Sequence, residues 1–280
     1  MLTNITRRTF FTGIAALAGL GLAGCGSEDA VGSSTGSGSG AAAGDLLAQI
    51  RERGEMVFAT EGTWSPWTFH NEAGELTGFD IEVARAIAGQ LGVEASFAEG
   101  EWDGLLAGVD SGRYDTMANG VSVTAEREEK YDFTEQYAYN NIVVITRGDN
   151  DEIASLEDLE GKTTANTLAS SYATFAESYG ATCTGVDDFN ATIELLDAGR
   201  IDATLNDEVV FNDYMNQHPD ANLKVAATAP EPTRIAYPLR REEATQGLRE
   251  AMNEAIEALR ADGTLAQIFN DYFGMDITTA

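Results

Sequence analysis

The 280-residue chain is poor in the residues that build metal centres and nucleophilic active sites, with only two cysteines and two histidines. Cys25 and Cys183 stand far apart, and no cysteine pair or cysteine–histidine cluster has the spacing of a zinc site. Neither His70 nor His218 belongs to a recognisable serine or cysteine motif, which excludes a familiar catalytic triad. We therefore expect no metal, no cofactor and no catalytic residue.

Basic residues are also scarce. The chain has 17 Lys and Arg against 46 Asp and Glu, and its formal net charge is −29. A nucleic-acid-binding protein needs clustered cations to displace counterions from the phosphate backbone, so this composition excludes that class of partner. It also excludes electrostatic attachment to an anionic lipid surface. The acidic composition favours a protein that stays soluble in a salty or acidic exterior.

The first 24 residues predict a targeting segment. Arg7 and Arg8 precede an apolar run of 15 residues that ends at Gly24, too short for a spanning helix of about 20 residues. The paired arginines resemble a twin-arginine export signal, and the alternative is an ordinary secretory segment. Leu22-Ala23-Gly24-Cys25 resembles a bacterial lipobox. This resemblance implies cleavage before Cys25, lipidation of that residue, and attachment to the extracytoplasmic face of the cell membrane.

Residues 25–44 predict a flexible tether. The stretch from Gly26 to Gly44 contains six glycines and five serines, and it has no large apolar residue beyond Val31. Such a segment cannot bury enough apolar surface to fold. Nineteen residues of this kind span about 25 Å on average, which suits a domain that must dock on a partner in the same membrane.

From Asp45 onward, short apolar strands alternate with amphipathic helices, a pattern typical of an α/β fold. We predict that Asp80 caps a helix that runs to Gln90, and that residues 201–205 form a strand. The clearest predicted helix runs over 242–261, with one apolar face. That face consists of Leu248, Met252, Ala255, Ile256 and Leu259.

The run Gly78-Phe79-Asp80-Ile81-Glu82-Val83-Ala84 resembles the signature of family 3 extracellular solute-binding proteins, the polar amino-acid receptors of ABC importers. The resemblance extends from about Gly54 to Gly274 through further stretches in the same order. These include Pro66-Trp67-Thr68-Phe69, Trp102-Asp103-Gly104-Leu105, Ser122-Val123-Thr124-Ala125-Glu126-Arg127, Tyr131-Asp132-Phe133-Thr134 and Gly199-Arg200-Ile201-Asp202-Ala203.

The resemblance implies an α/β fold of the two-lobe, type II periplasmic-binding-protein kind. Lobe 1 would comprise residues 45–142 plus 234–280, and lobe 2 residues 143–233. The chain would cross the hinge twice, near 140–143 and near 233–236, and the ligand would bind in the cleft between the lobes.

The resemblance also implies which residues bind the two charged groups of an amino acid. Arg127 stands at the position that grips the α-carboxylate, where its planar fork donates two parallel hydrogen bonds. The loop residues Thr167, Ser170 and Ser171 precede a helix and would meet the same carboxylate. Asp207 would accept the ammonium, with Asn206 beside it as the weaker candidate. Gly120 and Ser122 would add a carbonyl and a hydroxyl group.

Each of these positions has a plainer interpretation. Arg127 lies in a run of glutamates and would, by itself, suggest a solvated helix face. Ser170 or Ser171 would serve as an ordinary N-cap. Asp207 is one acid among 46 in the chain.

For the ligand side chain, the resemblance points to an aromatic wall. Trp64 and Trp102 align with two positions that sandwich the side chain, although either could be a core residue. Glu61 replaces the Asp that usually meets a polar or cationic ligand end, which puts that contact in doubt. Asn119 would add an amide near the same end.

The predicted function is capture of a polar amino acid by a monomeric receptor and its delivery to the permease of an ABC transporter, without catalysis. Cystine or cysteine is the first expected ligand, followed by a cationic amino acid or glutamine. One alternative is an exported prephenate or arogenate dehydratase on the same fold, with Glu61 or Asp207 as general acid. Another is a sensory or scaffold protein at the surface.

Overall fold

The computed structural model describes residues 44–274 and 277–278. The predicted signal peptide (1–24), the lipidation site Cys25 and the tether up to residue 43 lie outside the described residues. Within the described part of the chain, no helix is both long and apolar enough to cross a membrane.

The chain alternates helices and strands as the sequence predicts. In order, the elements before residue 141 are α1 (Leu46–Arg53), β1 (Glu55–Thr60), β2 (Thr63–Trp64), β3 (Thr68–His70), β4 (Leu76–Thr77), α2 (Phe79–Leu91), β5 (Glu94–Glu99), α3 (Trp102–Asp110), β6 (Thr116–Met117), α4 (Ala125–Lys130), β7 (Tyr131–Phe133) and β8 (Ala138–Asn140). The next are β9 (Ile142–Arg147), β10 (Thr163–Asn166), α5 (Ser171–Ser178), β11 (Thr182–Gly185), α6 (Phe189–Asp197), β12 (Thr204–Asp207), α7 (Glu208–Gln217) and β13 (Leu223–Thr228). The last are β14 (Thr233–Ile235), β15 (Pro238–Arg240), α8 (Gln246–Ala261) and α9 (Thr264–Phe273).

Lobe 1 is built around a parallel sheet of order β5-β1-β6, whose strands are in register from Glu55 opposite Glu94. Helices α2, α8 and α9 pack on one another beside it. The predicted apolar face of α8 is confirmed, because all five of its residues are buried. The helix begins at Gln246 rather than at 242, since a short 3₁₀ turn comes first and Thr245 donates to the carbonyl oxygens of Arg240 and Glu242.

Lobe 2 contains an antiparallel sheet of order β12-β9-β13 and a parallel pair, β10 with β11. Strand β9 is buried along five of its six residues, as expected for a central strand with packing on both faces. Two apolar clusters form the core here, one around Val144 and Leu205 and one around Ile145 and Leu196.

Strands β8 and β14 lie side by side where the chain passes between the two lobes. They pair in antiparallel fashion, with Asn140 opposite Thr233. The predicted crossings near 140–143 and 233–236 coincide with the ends of this pair. The lobe bounds themselves, 45–142 plus 234–280 and 143–233, stay a prediction that the strand pair supports.

Two local predictions were wrong. Asp80 does not cap α2: the helix begins at Phe79 after Gly78, and Asp80 is fully buried in its first turn. Gly78 has a φ of +124°, and a side chain there would collide with the carbonyl of Trp67. The strand predicted over 201–205 lies instead at Thr204–Asp207 (β12), so Asp207 is its last residue.

Candidate functional site

A cavity between the two lobes is lined by both of them. Lobe 1 contributes Glu61, Thr63, Trp64, Trp102, Gly120 and Ser122. Lobe 2 contributes Asn166, Thr167, Ser170, Ser171, Tyr172, Asp188, Phe189, Thr192 and Asn206. Eight of the eleven predicted ligand-binding residues are among them. The other three, Asn119, Arg127 and Asp207, are buried and do not line the cavity itself.

Arg127 is a buried cation without an acidic partner. It lies in the first turn of α4, and its backbone N–H donates to the N-cap Oγ1 of Thr124 at 3.2 Å. Only 8% of the residue is exposed, and burial lowers the pKa of its guanidinium. Nη1 donates to the carbonyl oxygen of Ser122 and Nη2 to that of Ala169, at 3.0 and 3.2 Å. Among the residues that the structure describes, no carboxylate forms an ion pair with this charge, so it can still accept an anion.

The loop before α5 meets Arg127 from lobe 2. Ser170 is the N-cap of the helix, and its Oγ accepts a hydrogen bond from Ala173 N at 3.3 Å. The capping interpretation of Ser170 is therefore confirmed. Ser171 Oγ donates to Ser122 Oγ at 3.2 Å, a direct hydrogen bond between the lobes. The N-terminal end of α5, with its unpaired N–H groups, thus adjoins the guanidinium and favours a negative group at the same place.

Asp207 is the opposite case, a buried anion without a cationic partner. Its exposed fraction is 1%, and burial raises its pKa to about 7. Tyr172, Asn140 and Trp67 are close enough to offset part of that rise. Nevertheless, neither carboxylate oxygen has a hydrogen bond of normal geometry, and Trp67 Nε1 and Asn140 Nδ2 are unpaired as well. An incoming ammonium can donate to the two unpaired carboxylate oxygens of Asp207, whereas Trp67 Nε1 and Asn140 Nδ2 are donors and need an acceptor.

Glu61 and Asn119 form one hydrogen-bonded unit. Asn119 Nδ2 donates to Glu61 Oε2 at 2.6 Å, and Glu61 N donates to Asn119 Oδ1 at 2.8 Å. The pKa of Glu61 is raised to about 7, chiefly by burial; the hydrogen bond from Asn119 lowers it, and the charges of Asp188, Glu101 and Asp103 add to the rise. Asn119 therefore orients Glu61 at the cavity wall.

Beyond Glu61, the cavity opens into a strongly acidic groove, here termed the acidic mouth. The carboxylates of both lobes line it: Glu61, Glu99, Glu101, Asp187 and Asp188. Like charges that face one another across a cleft repel, and a positive group between them relieves that repulsion. The mouth therefore favours a ligand with a cationic far end.

Tryptophan side chains line the lobe-1 wall. Trp64 stacks on Trp67, with ring centroids 5.6 Å apart, and contacts Tyr172 edge-on at 6.4 Å. Gly120 has a φ of +57°, and a Cβ there would come within 2.8 Å of the Trp64 ring, so the position requires glycine. Trp102 lines the cavity but also belongs to a buried core cluster, so both interpretations of this residue hold.

Sequence reasoning missed several residues of the wall. These are Thr63, Asn166, Tyr172, Asp188, Phe189 and Thr192. Tyr172 is the most informative, since its pKa is raised well above the usual value by burial and by Asp207, and is lowered by Arg127. It therefore lies within reach of both buried charges. The available signal was its place in the first turn of α5, directly after the predicted loop.

Comparison with known proteins finds similarity to bacterial solute-binding proteins in both sequence and structure. The profile of the bacterial extracellular solute-binding proteins, family 3, matches residues 56–275. A probable amino-acid ABC transporter-binding protein of Haemophilus influenzae is 39% identical over 236 residues, which cover 84% of this chain and 91% of the relative.

Two solved structures are similar. An ancestral arginine-binding protein bound to arginine has a TM-score of 0.73 and 33% identity, covering 79% of this chain and 99% of its own. The L-cystine solute receptor of Neisseria gonorrhoeae, in its unliganded open conformation, has a TM-score of 0.59 and 36% identity, covering 85% and 100%. The predicted two-lobe α/β fold is confirmed. The greater likeness to the ligand-bound relative agrees with the direct hydrogen bond between Ser171 and Ser122.

Proposed function

The chain belongs to family 3 of the bacterial extracellular solute-binding proteins, and from that premise we propose that it captures a polar amino acid outside the cytoplasm and delivers it to an ABC transporter. One observation carries the proposal. Arg127 and Asp207 are buried charges of opposite sign behind the wall of one cavity, both within reach of the lining residue Tyr172, and within residues 44–274 and 277–278 neither has an oppositely charged partner. A free amino acid is a zwitterion, so its carboxylate can pair with Arg127 and its ammonium can pair with Asp207.

The ligand carboxylate is assigned to Arg127 and to the start of α5. The guanidinium fork and the helix N–H groups are donors of complementary geometry for a carboxylate. The ammonium is assigned to Asp207, with the carbonyl of Gly120 as a further acceptor. Trp64 and Trp102 supply the wall for the side chain, and Glu61 meets its far end.

The contacts between the lobes suggest how binding and closure are coupled. Arg127 reaches the carbonyl of Ala169, and Ser65 Oγ donates to Asp213 Oδ2 at 2.8 Å, so both bonds join lobe 1 to lobe 2. A ligand that contacts both lobes binds the closed arrangement more tightly and therefore shifts the population toward it.

Cystine is the first proposed ligand. The gonococcal relative at 36% identity is an L-cystine solute receptor, and this likeness carries the choice. The far end of cystine has a second ammonium group, which the acidic mouth favours, but also a second carboxylate, which it does not. A cationic amino acid is the second candidate, because a guanidinium or side-chain ammonium fits the same mouth. The ancestral relative bound to arginine supports that alternative. Direct competition between L-cystine and L-arginine distinguishes the two.

The proposals on export, lipid attachment and monomeric state rest on the sequence. We propose that the chain is exported, lipidated at Cys25 and tethered as a monomer through residues 26–44 to the membrane that holds its permease. Lipid attachment is tested by mass spectrometry of the mature N-terminus, with Cys25→Ala as the control. Retention of the unprocessed leader in the wild-type chain contradicts this part of the proposal.

A dehydratase function is the one enzymatic alternative that a specific feature favours. Glu61 has a pKa of about 7 and faces the cavity, which is the property of a general acid. The proposed receptor has no turnover, so incubation with prephenate leaves the substrate unchanged. Formation of phenylpyruvate at a rate that Glu61→Gln abolishes would establish the enzyme instead.

The central test is thermal denaturation of the purified full chain against the twenty amino acids and L-cystine. A ligand that binds only the folded state stabilises it by about 2.7 kcal/mol at 100 times Kd. We expect a clear rise in Tm with L-cystine or with a cationic amino acid. If no amino acid raises the Tm, the proposed function is wrong.

A further inference from the structure

Asp80 is a buried carboxylate immediately behind the wall of the cavity. It lies in the first turn of α2 and is fully buried. One of its oxygens, Oδ2, accepts a short hydrogen bond from the backbone N–H of Gly120, and Oδ1 accepts one from the hydroxyl of Tyr137 at 2.6 Å. Gly120 itself lines the cavity. Asp80 is thus one hydrogen bond away from the ligand site.

The negative charge of Asp80 has no counterpart inside the protein. Burial raises its pKa to about 7, and no Lys, Arg or His among the described residues forms an ion pair with it. Asp115 provides the contrast within the same lobe, since it accepts a backbone N–H from Val57 at 2.7 Å but also pairs with Arg53. An uncompensated buried charge opposes folding. A neutral amide could accept the Gly120 bond without that penalty, so the backbone bond alone does not account for an acid here.

Asp80, in lobe 1, and Asp207, in lobe 2, are close enough for their charges to interact. Asp80 raises the pKa of Asp207 through its charge. Trp67 connects them: its carbonyl oxygen accepts from Asp80 N at 2.9 Å, while its unpaired indole Nε1 is near Asp207. The turn at Gly120 lies against the same aromatic pair, Trp64 and Trp67. Two uncompensated carboxylates, one from each lobe, therefore lie near Trp67.

We propose that Asp80 is a positioning residue for the ligand's ammonium group: its carboxylate fixes the Gly120 turn and adds a second negative charge behind the ammonium that Asp207 accepts. This inference rests on the proposed amino-acid function. The groups that face the two carboxylates are Tyr137 and Tyr237 at Asp80, and Tyr172, Asn140 and Trp67 at Asp207. All of them are neutral at pH 8, so a cation can enter this negative region only with the ligand.

The test compares Asp80→Asn with Asp115→Asn in the purified full chain, by titration calorimetry with L-cystine and with L-arginine at pH 6 and pH 8. The Asp80→Asn variant keeps an acceptor for Gly120 N but removes the charge. For whichever amino acid the wild type binds, we expect affinity to rise from pH 6 to pH 8. Asp80→Asn should weaken it about tenfold at pH 8, the effect of one pKa unit, and flatten the pH dependence.

Thermal denaturation of the ligand-free variants separates positioning from structure. Asp80→Asn should leave the Tm at pH 8 equal or higher, because it removes an uncompensated buried charge. Asp115→Asn should lower the Tm and leave the affinity unchanged. If Asp80→Asn binds with wild-type affinity and pH dependence, Asp80 is only structural and the inference is wrong.

Tyr137→Phe keeps the inference testable if Asp80→Asn does not fold. Loss of the hydroxyl raises the pKa of Asp80 further, so affinity relative to the wild type at the same pH should fall at pH 7 and recover at pH 9. An unchanged pH profile in this variant also overturns the inference. A wild type that binds no amino acid overturns the proposed function, and the inference with it. If the wild type binds an amino acid and the variants bind it equally well at every pH, the inference alone is overturned.

Discussion

The two lobes differ in how the carboxylates around the cavity are satisfied, although lobe 1 also holds unpaired indole N–H groups on Trp67 and Trp102. In lobe 1, Glu61 is held by Asn119, and the N–H of Gly120 is held by Asp80. In lobe 2, both oxygens of Asp207 and the Oδ1 of Asn166 have no hydrogen bond. A group that is already bonded is fixed in position, whereas a buried group without a partner gains most when a ligand supplies one.

This difference suggests an order of events. Lobe 1 offers a preorganised surface on which an amino acid can dock with little loss of conformational entropy. Lobe 2 then contributes Asp207 and the start of α5, whose groups are completed only when the ligand is present. Lobe 1 would therefore set the orientation of the ligand, and lobe 2 would supply much of the free energy that favours the closed arrangement.

The strongest test of this comparison removes Arg127, the buried cation behind the lobe-1 wall. Arg127→Ala should cost about 2–5 kcal/mol of binding free energy, or roughly 30- to 4,000-fold in Kd, because the ligand carboxylate loses its partner in a desolvated site. Arg127→Lys should recover only part of the loss, since lysine lacks the planar fork. Calorimetry with the amino acid that gives the largest thermal shift measures both, and a loss below threefold for Arg127→Ala contradicts the placement of the carboxylate.

Removal of the unsatisfied anion of lobe 2 should have the next largest effect. Asp207→Asn should weaken binding by about 1.5–3 kcal/mol, the range of a hydrogen bond to a charged group. Because the carboxylate is uncompensated without ligand, the same change should raise the Tm of the ligand-free protein at pH 8. Asp202→Asn, in the same segment but partly exposed and already bonded to Thr163, is the matched control. Equal losses of affinity in both variants would show that Asp207 has no special role.

Sequence reasoning succeeded where neighbouring residues determine the structure. It also succeeded where the ligand's chemistry calls for a charged or aromatic side chain. The apolar face of α8 repeats at helical spacing and was correct in every member. It failed where a contact between residues far apart in sequence determines the role of a side chain. Asp80 is of a residue type favoured at helix N-caps, but its carboxylate accepts a hydrogen bond from the backbone N–H of Gly120, 40 residues away.

The missed wall residues follow the same rule. Tyr172, Phe189 and Thr192 belong to the first turns of α5 and α6, where aromatic and small polar residues are common in sequence. They reach the cavity only because the two lobes meet there, and no pattern along the chain encodes that meeting. Asn119 was predicted as a ligand contact from its position, whereas its hydrogen bonds direct it to Glu61.

The pH dependence of stability sharpens the comparison between satisfied and unsatisfied groups. Glu61, Asp80 and Asp207 have pKa values raised to about 7, so the folded state binds their protons more tightly than the unfolded state does. Their contribution is fully present below about pH 4 and is lost as the pH rises through 7. Between pH 5 and pH 8, a pKa raised to about 7 lowers the free energy of unfolding without ligand by about 2–3 kcal/mol for each such carboxyl, and the three groups act in the same direction.

Denaturant titrations at both pH values measure this fall. The overall charge of −29 also destabilises the fold at high pH, so Asp207→Asn is needed to isolate the site. The free energy of unfolding of the Asp207→Asn variant should change less with pH than that of the wild type. Identical slopes would mean that general charge repulsion, and not the cavity, governs the pH dependence.

The acidic mouth tests how much of the specificity resides in the lobe-1 wall. Glu61→Gln should reduce the affinity for L-arginine by about tenfold relative to that for L-glutamine, because it removes the charge but keeps the bond to Asn119. Glu99→Gln, at the more exposed edge of the mouth, is the control and should have a smaller effect. An unchanged preference in Glu61→Gln would show that the far end of the ligand does not reach this residue.

The smallest expected effect concerns closure alone. Ser65 Oγ in lobe 1 and Gln217 Nε2 in lobe 2 both donate to Asp213 Oδ2, at 2.8 and 2.7 Å. Only the first bond joins the lobes, so only its loss should disfavour the closed arrangement. Ser65→Ala should weaken every ligand by about two- to threefold, within the range of one partly exposed hydrogen bond, without a change in preference. Gln217→Ala should leave affinity unaltered. If the two variants lose affinity equally, the hydrogen bonds of Asp213 stabilise lobe 2 itself and not the closed arrangement. If only Ser65→Ala loses affinity, a hydrogen bond between the lobes that does not involve the ligand contributes to the binding free energy.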